Sequence, residues 1–217
     1  MRVARLIPSV AVLGSTALVG LAAAGCASNQ PTSPAVTASS RVSAAPTGLA
    51  AKLLTAKDMP AGWSLDTAAH NPSMATTCPL LNSSLWNGPM SEHAEADLNA
   101  GLVGPSLVEQ IASGDAAQMN RSWNTMVAGL SQCSSFTHTA SSGGSTFTIT
   151  RLPSFPVYGD ASYAFNLEIA ITGGVKGTGN IVATRKGSTI AVIYLAGVAD
   201  VTPELMEQLT AKAVSKL

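Results

Sequence analysis

Residues 162–172 read SYAFNLEIAIT, and the alternation is strict. Tyr163, Phe165, Leu167, Ile169 and Ile171 fall on one side of an extended chain, with Ala164, Asn166, Glu168 and Ala170 on the other. A period of two is the geometry of a strand, so this element commits the chain to a sheet with an apolar face to cover. Residues 145–152, 180–186 and 189–196, rich in Ile, Val, Thr and Ala, read as further strands. The glycine-bearing segments 173–179 and 186–188 supply turns short enough to make neighbouring strands antiparallel.

Two helices provide the cover. Asp115, with Gln118 three residues on, forms a capping box, and Met119, Trp123, Met126, Val127 and Leu130 then recur at helical spacing. Near the end of the sequence Thr202 is a cap and Pro203 a first helical residue, followed by a stripe of Leu205, Met206, Leu209, Ala213 and Leu217. Upstream, LAAKLL at 49–54 reads as a short helix, and Thr55 with Asp58 caps one further turn. Pro60 and Gly62 end that turn, and Trp63 opens a strand. Residues 71–88 read as a loop with a short helix at 80–86, and 94–111 as one or two strands broken at Gly104-Pro105. The expected fold class is α+β: an antiparallel meander with helices packed on its faces.

The N-terminal region has a different character. Arg2 and Arg5 precede an uncharged stretch of Val, Leu and Ala that ends in Ala23-Ala24-Gly25-Cys26, the layout of an export signal. A small-small-Gly-Cys end resembles the lipobox of bacterial lipoproteins, in which the cysteine thiol takes diacylglycerol and becomes the new N-terminus. Residues 1–25 are then the signal and Cys26 the lipidation site. The alternatives are an uncleaved transmembrane helix, for which the stretch is long enough, and a conventionally secreted protein. Residues 26–46 hold the lipidated cysteine and a tether of Ser, Thr, Ala and Pro without apolar periodicity, leaving 47–217 as one folded domain.

Three cysteines are present, and an odd count in an exported protein leaves one thiol to explain. Lipid on Cys26 removes the odd one, so Cys78 and Cys133 become candidates for one disulfide, whose long ring would constrain the unfolded chain by about 4 kcal/mol. Two separate buried thiols are the alternative.

Loss of Arg2 and Arg5 leaves 10 basic against 12 acidic residues, with no basic cluster. Nucleic acid is therefore not an expected partner, and the membrane is reached only through the N-terminal lipid. GxSxG, SxxK, HExxH and Walker sequences are all absent, so no catalytic residue and no cofactor is assigned. Glu92-His93-Ala94-Glu95-Ala96-Asp97 would put His93, Glu95 and Asp97 on one face if extended, but an acidic solvated loop has the same composition, and no metal site is assigned. His70 and His138 read as surface residues.

A resemblance extends over most of 47–217. LLTAKDMPAGW, a cysteine after the central helix followed by SSF, the GDASYAFNLEI strand, the RKGSTIAVIYLAG hairpin and the ending AVSKL together resemble actinobacterial, mycobacterial-type envelope lipoproteins similar to the extracellular sensor domain of PknH-type Ser/Thr kinases. The resemblance implies a twisted antiparallel sheet with helices around a ligand cleft. The kinase domain has two disulfides, whereas this domain has cysteines for one.

Two function classes follow. One is a non-catalytic, membrane-anchored, outward-facing module that binds or senses an apolar or amphipathic envelope molecule, with Trp63, Trp86, Tyr163 and Tyr194 as candidate ligand-binding residues. Trp123, on its apolar helix stripe, reads as core. The other class is an interaction or scaffolding protein that docks another envelope protein.

Overall fold

The computed structural model describes residues 47–67, 92–101, 104–140, 143–198 and 201–217. The signal, Cys26, the tether, Cys78 and Trp86 lie outside these residues.

The described chain is mostly one antiparallel sheet of eight strands. They are β1 (Ser64–Leu65), β2 (Glu92–Asn99), β3 (Ser106–Ser113), β4 (Ser135–Ala140), β5 (Gly143–Arg151), β6 (Ala161–Ile171), β7 (Val175–Lys186) and β8 (Thr189–Gly197), arranged β1-β2-β3-β8-β7-β6-β5-β4. The alternation in 162–172 is expressed as β6, paired with β5 and β7 on its two sides. A turn through Thr172, Gly173 and Gly174 joins β6 to β7, with Ile171 opposite Val175. Both glycines have positive φ, 98° and 86°, which side-chain-bearing residues rarely adopt. Strand β7 thus begins well before residue 180. Its glycines serve the pairing: a Cβ on Gly179 would stand 2.5 Å from the Leu195 carbonyl oxygen of β8.

Helix α1 (Ala116–Gln132) and helix α2 (Pro203–Lys216) cover opposite faces. Met119, Trp123, Met126 and Leu130 of α1 pack with Phe165, Leu167, Ile181, Ala183 and Val192. Met206, Leu209 and Ala213 of α2 pack with the intervening residues Ala164, Val182, Ile193 and Leu195, together with Leu98 and Leu107. Adjacent strand residues point to opposite faces, so the sheet is sandwiched locally by one helix on each side. Asp115 accepts the Gln118 N–H at 2.9 Å, but the other half of a capping box is not made, because the Gln118 side chain engages Arg121 and Ser122. Thr202 caps α2 through the Leu205 N–H, with Pro203 in its first turn.

The expected fold class needs correction. The sheet dominates, and helices are few among the described residues: two α-helices and two 3-10 segments, Gly48–Lys52 and Ala56–Asp58. LAAKLL is too short to nucleate an α-helix and settles as a 3-10 turn, while Thr55 and Asp58 do form the expected capping box. The sheet is also not one consecutive meander, because β3 pairs with β8 across the α1–β7 sequence. The disulfide included in that expectation falls outside the described residues, because Cys78 is not among them. Among the described residues no helix is long and apolar enough to cross a membrane.

Candidate functional site

The described cavity lies where β4, β5 and β6 end together. Pairing sets Thr137 opposite Thr146, His138 opposite Ser145, and Ser145 opposite Ile171. These residues, with Thr172, line an open cavity of about 420 Å³. Thr172 fixes its rim, as its hydroxyl accepts the Gly144 N–H at 3.1 Å and donates to the Gly144 carbonyl at 2.7 Å. Phe136, two residues before His138, stacks on Phe147 with centroids 4.7 Å apart, which anchors the edge strand under the cavity. The Nδ1 atom of His138 is buried and has no hydrogen-bond partner. A buried polar atom without a partner is costly in either tautomer. Beside the hydroxyls, Ile171 and its cross-strand neighbour Val175 are exposed.

Of the residues expected to line a ligand cleft, the described ones, Trp63, Tyr163 and Tyr194, are not gathered there. Trp63 packs against the α2-side cluster, while Tyr163 and Tyr194 pack against the α1-side cluster on the other face. Tyr163 meets Trp123 edge-on at 5.8 Å, with Arg151 over its ring and Arg185 over Trp123, so these cations lie against aromatic faces at the N-terminal half of α1. Burial, and secondarily the charge of Glu95, pushes the Tyr194 phenol well above its ordinary range. Trp123 is core, as its helical spacing implies. His93, Glu95 and Asp97 do share a face of β2, yet among the described residues no group of three His, Cys, Asp or Glu is placed to hold a metal ion. His138 belongs to the cavity and not to open surface. The alternation His138-Thr137-Phe136 could have shown that this segment pairs as a strand, but its Ser and Thr content reads as loop.

A second polar centre was hidden in a plain strand. Glu109 is 0% exposed on β3, between Leu107 and Ile111, which are equally buried. One of its oxygens accepts the Leu54 N–H, and the other has no hydrogen-bond partner. Burial pushes its carboxyl up to about 7, against the pull of the Leu54 hydrogen bond and the Lys216 charge, with Asp58 adding to the rise. Its signal in the sequence is an acid at an inward position of an otherwise apolar alternation.

No protein-family profile and no curated protein matches this chain. Among solved structures, the fold is similar to the extracellular domain of PknH from Mycobacterium tuberculosis, with a TM-score of 0.60 at 11% sequence identity, covering 76% of this chain and 92% of that one. At that identity the likeness is one of fold, and it agrees with the resemblance read from 47–217.

Proposed function

We propose that the chain is an outward-facing, non-catalytic binding or sensing domain, held to the membrane by diacylglycerol on Cys26 and the tether of 26–46. Its ligand is an amphipathic envelope molecule. The observation that carries this reading is the cavity: the hydroxyls of Ser145 and Thr146 offer hydrogen bonds to a polar head, and the exposed Ile171 and Val175 beside them offer a surface to an apolar part. The likeness to an extracellular domain supports an outward location.

A ligand that binds only the folded state must stabilise it. Addition of an envelope lipid or glycolipid fraction is expected to raise the Tm of the wild-type protein, and Thr146→Trp, which fills the cavity from an exposed strand position, is expected to abolish the rise without lowering the basal Tm. A Tm that no fraction moves, or a rise that persists in the variant, would contradict the site. For the anchor, two acyl chains give the stable attachment that one does not. Cys26→Ser is therefore expected to shift the protein from the membrane to the soluble fraction. A variant that stays membrane-bound with its signal uncleaved would make the apolar stretch itself the anchor.

A further inference from the structure

Residues 48–59 form a strap across the sheet face shared with α2, and it follows directly on the tether. Leu49, Leu53, Leu54 and Met59 are its buried side chains. Each of the following polar ties has a charged side chain at one end. The Leu49 N–H donates to Glu92 at 2.7 Å, the Leu54 N–H donates to Glu109, and Lys216 donates both to the Leu53 carbonyl and to Asp58 at 2.8 Å. Lys212 approaches Asp58 at 3.5 Å, and Lys52 reaches the Leu217 carbonyl at 3.3 Å.

Glu109 lies beneath this strap with one oxygen satisfied and one not. The protonated acid bears this arrangement at less cost than the carboxylate: its second oxygen still lacks a partner, but no charge is buried. In the carboxylate a full charge meets a single amide, and Lys216, the cation whose charge it feels, is already committed to Leu53 and Asp58. The flanking positions on β2 and β8, Ala96 and Ile193, are apolar and offer nothing. The charges that act on it are those of Lys216 on α2 and Asp58 on the strap, while Glu92, Lys212 and Lys52 are engaged with Leu49, Asp58 and Leu217, and Lys57 is exposed. α2 is packed on the sheet through Met206, Leu209 and Ala213, so water reaches Glu109 most readily where the strap lifts.

We infer that residues 48–59 are a proton-controlled clasp: with Glu109 protonated the strap is fastened to the sheet through Leu54, and ionisation of Glu109 releases it, freeing the joint between tether and sheet. The clasp is independent of the proposed ligand cavity, which lies at the other edge of the sheet among β4, β5 and β6.

The test is amide hydrogen exchange on the full chain, with protection factors corrected for intrinsic rates. Between about pH 6 and about pH 8 the protection of the Leu54 amide is expected to fall roughly 10-fold as Glu109 ionises, while Ile181 and Val192 in the central strands keep theirs. In Glu109→Gln the Leu54 amide should be equally protected at both values. Unchanged Leu54 protection in the wild type, or a pH response that survives in Glu109→Gln, would overturn the clasp. Should the variant not fold, carbon-13 NMR of the wild-type Glu109 carboxyl decides: it must titrate together with the loss of Leu54 protection, and titration at an ordinary carboxylate value would overturn the inference.

Discussion

Trp123→Ala is expected to destabilise the protein by about 3–5 kcal/mol, the range for deleting a large buried aromatic side chain and leaving a cavity behind. Trp123 is only 5% exposed, stands edge-on to Tyr163, lies under Arg185 and joins α1 to Phe165, Ile181 and Ala183. Its loss removes apolar burial, a T-shaped ring pair and a cation–π contact together. The same change at Trp63, which is only partly buried on the other face, should cost clearly less. Urea denaturation of both variants measures this. A loss below about 1 kcal/mol at Trp123 would mean that α1 is not held as described.

The second large effect is in the pH profile. The folded-state carboxyl of Glu109 titrates at about 7, above its ordinary 4.5. The folded protein therefore binds this proton more tightly than the unfolded chain. Its stabilising contribution is complete below pH 4.5 and is lost as pH rises to 7, a change of about 3 kcal/mol. Asp58 works in the opposite sense. Burial would raise its carboxyl, but hydrogen bonds from Lys216 and Thr55 and the Lys216 charge overcome this and hold it at about 2, below its ordinary 3.8. Its contribution is present above pH 3.8 and is lost as pH falls through 2. Maximum stability should accordingly lie near pH 4, acid to the usual optimum. Glu109→Gln is expected to flatten the slope between pH 4.5 and 7 while leaving the acid limb intact. A wild-type stability that rises from pH 5 to pH 7 would contradict the assignment.

What the sequence discloses divides along physical lines. Local signals survive folding: the caps at Asp115 and Thr202, the capping box of Thr55 and Asp58, and the alternation of β6 all act within a few residues, and each is found where it was expected. The first half of β7 and all of β4 are different. The glycines of β7 have little strand preference of their own, and β4 is a short run without a clean apolar alternation, so pairing with β6, β8 and β5 sets the extended form. The aromatic residues were expected together because side-chain type says nothing of facing, which depends on each strand's register. Trp63 thus lies across the sheet from Tyr163 and Tyr194. The cavity exists because three strands end together, a property of register that no single segment carries. Glu109 was legible in principle, since Leu107 and Ile111 mark its position as inward.

Native mass spectrometry of the full chain, mixed with a total envelope extract, tests the binding role. Wild-type protein is expected to retain an adduct of defined mass, and Thr146→Trp to appear bare. A bare wild-type protein, or an adduct held equally by both, would contradict a ligand site at the ends of β4, β5 and β6.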